Sequence, residues 1–151
     1  LSDLHEVEKL DHSRDELFEY YYVCRQFERV ADHAEKMCEF VVEDQVTLPE
    51  ALVAELSGLS DRAQTIVDDA ADVVLADADV EVADAALDTL QQLVADVEAT
   101  HRGLYDDPDA DPEAAYAAGL LLDSIERTAQ YGGNVAEVGI QRTVRSVPEV
   151  R

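Results

Sequence analysis

The sequence predicts an all-α fold, an antiparallel helical bundle, and three observations carry that expectation. Apolar residues recur at helical spacing along the chain, and nowhere is the period-2 alternation of a half-buried strand sustained. Capping signals, prolines and acidic turns cut the periodic stretches into four long segments. The 151 residues are 47% hydrophobic, one domain's worth of chain with enough apolar material for a core.

Taken in order, residues 2–10 carry Leu4, Val7 and Leu10 at the spacing of a short lead-in helix that ends near Asp11. Ser13-Arg14-Asp15-Glu16 is a capping box, in which the Ser side chain and the Glu three residues on satisfy orphan N–H groups at a helix start. It opens a first long helix to about Glu43. Leu17, Cys24, Ala31 and Cys38 repeat every seven residues there; Tyr20, Phe27, Ala34 and Val41 form a second row, and Val23, Val30 and Met37 a third. Three adjacent rows predict a wide apolar face. Thr47-Leu48-Pro49-Glu50 is a second capping box, with Pro inside the first turn, where its missing N–H is harmless. Leu52, Leu56, Leu59, Ala63, Ile66, Ala70 and Val73 then alternate 4-3 spacing, the pattern of a bundle seam, with Ser57-Gly58 as a point of weakness or bending.

Asp77-Ala78-Asp79 breaks the pattern and offers an N-cap to a third helix, whose seam is Ala83, Leu87, Leu90, Val94, Val97, His101 and Leu104. Gly103 and residues 106–109 end it and form the main loop. Asp111 before Pro112-Glu113 caps the last helix, which should run to about Arg145; the tail with Pro148 is expected to fray.

The charge is one-sided: 11 basic against 35 acidic residues, a net charge of −24. A charge of that size repels itself at low ionic strength. Helical periodicity argues against disorder, and halophilic adaptation fits the composition: Lys9 and Lys36 are the only lysines, and Asp outnumbers Glu. Direct DNA binding needs clustered Lys and Arg, which no segment supplies. An anionic membrane surface is disfavoured for the same reason, and no run of about 18 apolar residues exists to span a bilayer. No signal peptide is visible, so a cytoplasmic protein is expected; the chain starts without Met, as a fragment would. Cys24 and Cys38 lie about 21 Å apart along one helix, too far for a disulfide, and are expected to be small buried core residues in a reducing compartment.

Two segments match each other. Residues 27–39, FERVADHAEKMCE, align with residues 125–137, IERTAQYGGNVAE, 98 positions further on. Glu28 and Glu126, Arg29 and Arg127, Ala31 and Ala129, and Glu39 and Glu137 coincide. A period near 100 residues points to a duplicated half and not to a short solenoid unit. Small residues, Ala31, Ala34, Ala129, Gly132, Ala136 and Gly139, recur on the expected buried face, where they let helices approach closely.

These motifs resemble the signature of the PhoU family of phosphate-uptake regulators, roughly E-R-I-G-D-x-x-x-N-I-A-E on the last helix of each three-helix bundle. The first copy keeps Glu28, Arg29 and Asp32 and has Lys36 where the family often has Asn. The second keeps Glu126, Arg127, Asn134 and Glu137 and has Gln130 in place of the Asp. The resemblance covers residues 13–145 and is to the halophilic archaeal type. It implies that residues 1–46 are the lead-in and last helix of a preceding bundle, 47–146 a PhoU-like three-helix bundle and 147–151 a tail. Two further helices are then expected upstream of Leu1. Some archaeal relatives carry a small DNA-binding domain upstream, and nothing in this chain shows one.

The resemblance also implies a metal site. Glu28 and Asp32 stand four apart on one side of a helix, and family members use this pair to bind metal, often iron. Iron or another divalent or trivalent ion is the implied cofactor, with His33 as a further candidate and Glu126 as the weaker counterpart, since Gln130 brings no charge. Two carboxylates are only a fragment of an oxygen-ligand site; without more ligands they are a solvated helix edge with Glu28 near Arg25 or Arg29. Glu98-Ala99-Thr100-His101 has E-x-x-H spacing, but a di-iron bundle needs two such motifs and two further Glu. A satisfied, partly buried His101 is the simpler expectation. His5 and His12 have no partner that the sequence identifies, Tyr20, Tyr21 and Tyr22 read as core and rim, and Gly132-Gly133 as a close-packing site.

No nucleophile–base arrangement, phosphate loop or Cys/His metal spacing appears, so no enzyme and no catalytic residue is expected. The resemblance implies a regulator that links a phosphate ABC transporter to phosphate-responsive signalling through protein contact, without membrane insertion. Two other classes remain open: a metal-binding bundle for sequestration or redox chemistry, and an oligomerisation module of a larger transcription regulator. The wide face of the first helix must be covered by the other three helices or by another chain, which makes a four-helix arrangement or a homo-oligomer the expectation.

Overall fold

The computed structural model describes residues 14–43 and 45–146. They form four helices and no strand: α1 (Arg14–Glu43), α2 (Glu50–Leu75), α3 (Val80–Asp106) and α4 (Pro112–Ser146). The lead-in helix at 2–10, the Ser13 half of the first capping box and the tail at 147–151 lie outside the described residues.

The helix ends show which local signals operate. α2 starts at Glu50 with Pro49 as its N-cap and no side-chain cap bond, so the Thr47 capping box does not form. Proline disfavours the helical conformation in the residue before it, which makes Leu48 a poor first helical residue. The start moves to Glu50, and the Pro49 carbonyl accepts the Val53 N–H at 3.0 Å. Asp79 is the N-cap of α3, but by position only, since its side chain makes no cap bond. Asp77 adopts the left-handed conformation at φ 53°, which Asp tolerates, and the Ala78 N–H turns back to the Asp72 carbonyl at 3.1 Å. At α4 the expected cap is present: Asp111 Oδ1 accepts the Glu113 N–H at 3.4 Å. Ser57-Gly58 leaves α2 unbroken.

α4 is the organising element, packing against each of the other three helices. Contacts fix the directions. Gly132 lies against Ile66 and Val67 and Gly139 against Val73, so α2 and α4 run parallel. Arg62 meets Asp96 and Glu55 meets Thr100, so α2 and α3 are antiparallel. Gly133 faces Leu90 and Gly119 faces His101, so α3 and α4 are antiparallel. With α1 antiparallel to α4 (below), the chain runs up, down, up, down.

The core is one cluster containing Val23 of α1 and residues of the other three helices. Ile66, Leu93 and Leu122 are its largest fully buried aliphatic side chains, each contributing about 1.5–3 kcal/mol by leaving water. On α2 the expected seam is the buried one, from Leu56 through Val73. On α3 the buried row is Ala83, Ala86, Leu93 and Val97, with Leu87, Leu90 and Val94 half-buried at its flank. The seam is therefore turned by one position from the expected row, and Leu90 lies where it meets the gap at Gly133.

α1 departs most from expectation. Val23 and Gln26 are its buried residues, flanked by half-buried Tyr20, Phe27, Val30, His33, Met37 and Phe40. Cys24, Ala31, Ala34, Cys38 and Val41 are exposed, so most of the first apolar row and the later half of the second lie outside the contact, and both cysteines are free and on the surface. The cause is the number of neighbours: α1's extensive contact is with α4, and one neighbouring helix covers a stripe, not a three-row face. The small residues of the second motif, Ala129, Gly132, Ala136 and Gly139, are all buried, because α4 has helices on several sides.

Candidate functional site

The two motif helices meet each other. Glu19 faces Arg142 and Arg145, Gln26 accepts a hydrogen bond from Asn134 Nδ2 at 3.0 Å, and His33 Nδ1 lies 3.4 Å from Ser124 Oγ. Partners on α4 descend as positions on α1 rise, so the helices are antiparallel. Where they cross, His33 packs against Tyr131, with ring centroids 5.7 Å apart. These two residues occupy the same position in the two copies of the repeat. Arg29 lies over the Tyr131 ring at 5.7 Å, and its counterpart Arg127 exerts its charge on His33. Antiparallel helices that cross at equivalent residues are related by an approximate local two-fold axis, and here it passes between His33 and Tyr131.

The two sides of this axis are built differently. On one side α1 is clamped to the end of α4. Glu19 is largely buried and pairs with Arg142 Nε at 3.4 Å and with Arg145. Arg142 also donates to the Val74 carbonyl at 2.9 Å and to the Tyr20 hydroxyl at 3.4 Å, and covers the Tyr20 ring. The ion pairs of Glu19 and the Arg142–Tyr20 bond hold α1 to the end of α4, although Glu19 Oε2 is buried without a hydrogen bond of its own; the Gln26–Asn134 bond between neutral amides adds about 0.5–1.5 kcal/mol. On the other side a cavity of about 310 Å³ opens between α1 and α4, with His33, Lys36, Ser124 and Arg127 among its walls.

The residues singled out by the motifs separate. Glu28 and Asp32 are both exposed on the outer side of α1, and Glu28 takes the Arg25 guanidinium at 2.8 Å. His33 lies five residues from Glu28, about 140° round the helix, and is half-buried against α4. Burial, with the charges of Lys36 and Arg127, holds its pKa below the usual 6.5 against the opposing pull of Asp32. Glu126 is half-buried and Gln130 exposed. Among the described residues no group of three or more His, Cys, Asp or Glu gathers where a metal ion could be held. His101 is half-buried with Nε2 3.3 Å from Asp123 Oδ1, and Glu98 is exposed. Gly132, Gly133 and Gly139 occupy close helix contacts: a Cβ on Gly133 would lie 2.5 Å from Leu90 and one on Gly139 2.6 Å from Val73.

The sequence reading missed the Glu19 clamp and the cavity. A signal for the cavity was present in the scarcity of lysine, since one of only two lysines stands inside the first motif. No helix among the described residues is long and apolar enough to cross a membrane. Comparison of the chain with protein-family models, with curated proteins and with solved structures finds no match.

Proposed function

We propose that this chain is a cytoplasmic, non-catalytic regulator of the PhoU-like type, which acts on phosphate uptake and phosphate-responsive signalling by protein contact. The observation that supports this best is the pairing of the two motif helices about a local two-fold at His33 and Tyr131, as expected of two related halves facing each other. The link to phosphate rests on the resemblance of these motifs to the PhoU signature alone. The partners would be components of a phosphate ABC transporter or a signalling protein. Glu28 and Asp32 would offer iron or another divalent or trivalent ion a surface carboxylate pair, to which further oxygen ligands must be added.

An oligomerisation module of a larger regulator is the second function, and the outer face of α1 favours it. Phe18, Tyr21 and Val42 are 59%, 67% and 73% exposed there, beside exposed Cys24, Ala31 and Cys38. One experiment separates the two. The tagged chain is purified from its source organism, and phosphate uptake is measured after deletion of its gene. Co-purification of the transporter's ATP-binding subunit together with altered uptake supports the regulator. A homo-oligomer without that subunit, and with uptake unchanged, overturns it in favour of the assembly module.

A further inference from the structure

The cavity beside His33 is where the local two-fold is broken. One residue ahead of the aligned segments, Gln26 and Ser124 occupy equivalent positions, and Lys36 corresponds to Asn134. On the closed side Gln26 and Asn134 reach each other and fill the space between the helices. On the open side the same two positions hold Ser124, too short to cross, and Lys36, whose ammonium has only donors. The substitution pair leaves a hollow where its counterpart is solid.

The chemistry of the hollow is opposite to that of the surrounding surface. The chain has 35 acidic and 11 basic residues, yet Lys36 and Arg127 both border this cavity, and neither pairs with an acidic group among the described residues. Unpaired cations are unexpected where carboxylates outnumber them about threefold. Asp123 is the cavity's one carboxylate, and it lies 3.3 Å from His101 Nε2. Ser124 and His33 add hydrogen-bonding groups, and Met37, Phe40 and Leu121 supply an apolar floor. A volume of about 310 Å³ is at the small end for ligand pockets.

We propose that this cavity binds a small amphipathic oxyanion, a carboxylate or phosphate monoester on a compact apolar body. Lys36 and Arg127 take the oxyanion, Ser124 and His33 hydrogen-bond to it, and Met37, Phe40 and Leu121 receive the apolar part. The proposal rests on the cavity and not on the regulatory function.

Met37 is the only methionine in the chain, so a ¹³C-methyl methionine label reports on the cavity floor with one resonance. The full chain is titrated with phenyl phosphate, benzoate, benzyl alcohol and inorganic phosphate. At least one of the two organic anions should shift the Met37 methyl saturably, and their relative affinity identifies the preferred head group. Benzyl alcohol and inorganic phosphate, each lacking one half of the ligand, should bind at least roughly tenfold more weakly, a loss of about 1.4 kcal/mol. The double variant K36Q/R127Q should weaken the organic anion by roughly tenfold or more. Both side chains are exposed, so helicity by circular dichroism should be kept. S124Q, which puts the longer side chain of Gln26 at its counterpart position, should fill the hollow and abolish binding. No saturable shift from either organic anion, equal affinity for benzyl alcohol, or affinity untouched in the double variant overturns the proposal.

Discussion

His33 lies between α1 and α4 under charges of both signs, and its titration should be visible in the stability of the fold. Burial, Lys36 and Arg127 lower its pKa below 6.5, and Asp32 acts the other way without prevailing. The unfolded chain therefore takes up a proton on this residue at a higher pH than the folded one. Where the unfolded state binds more protons, stability rises with pH. The contribution is fully present above 6.5 and is lost as pH falls through the folded-state value. His33→Gln should flatten the dependence of the melting temperature on pH between about pH 7 and pH 5, the range in which an ordinary histidine titrates. An unchanged slope would place the pH response elsewhere. His33 was legible in the sequence as a candidate ligand beside Asp32, but its side of the helix was not. Adjacent residues diverge by about 100°, and only the position of α4 decides which of the two faces inward.

At the scale of the element, the glycines rank the tightness of the helix contacts. In a helix interior, glycine is about 1 kcal/mol less favourable than alanine. Gly58 has nothing within 4 Å of an added Cβ, so Gly58→Ala should stabilise the fold by about that amount. At Gly133 the added atom would meet Leu90 Cδ2 at 2.5 Å. That atom is the end of a flexible side chain, so its displacement should roughly offset the helix gain. At Gly139 the neighbour is Val73 Cγ1 at 2.6 Å. Valine in a helix holds one χ1 rotamer and cannot turn away. Overpacking costs about 1–3 kcal/mol, so Gly139→Ala should be a net loss. Denaturant unfolding at fixed salt should give the order Gly58→Ala, wild type with Gly133→Ala, then Gly139→Ala; a neutral Gly139→Ala would mean that α2 and α4 are not in close approach. The seam of α2 was legible because α2 packs against both α3 and α4, so most of its apolar face is used. The face of α1 has the same kind of periodicity, and Cys24, Ala31 and Cys38 match the repeat positions of Leu122, Ala129 and Ala136. The second set is buried and the first exposed. Periodicity records which face a helix is able to bury, and the number of neighbours decides how much of that face is used.

Across the whole molecule, charge sets the conditions under which these contacts hold. The surplus is −24, and the cations that do form ion pairs, such as Arg25 with Glu28 and Arg62 with Asp96, are partly exposed pairs, worth about 0–1 kcal/mol each. Two like charges about 7 Å apart in water repel by about 0.6 kcal/mol, and at 1 M salt, with a screening length of about 3 Å, most of that vanishes. Salt weakens the surface pairs as well, but 35 acidic residues against 11 basic ones make repulsion the larger of the two effects. The clamp of Glu19 with Arg142 and Arg145 is mostly buried on the Glu19 side, so salt screens it less, and the packing of α1 on α4 survives where surface pairs fade. Relief of several kcal/mol of repulsion, at about 2–4 °C per kcal/mol for a chain of this size, corresponds to a rise in melting temperature on the order of 10 °C. Circular dichroism melts from low salt to molar KCl should show that rise, with helicity at 25 °C increasing or unchanged. A melting temperature that stays flat would mean that the carboxylates are too far apart to repel one another and would remove the basis for the halophilic interpretation. A melting temperature that falls with salt would mean that the ion pairs, few as they are, outweigh the repulsion.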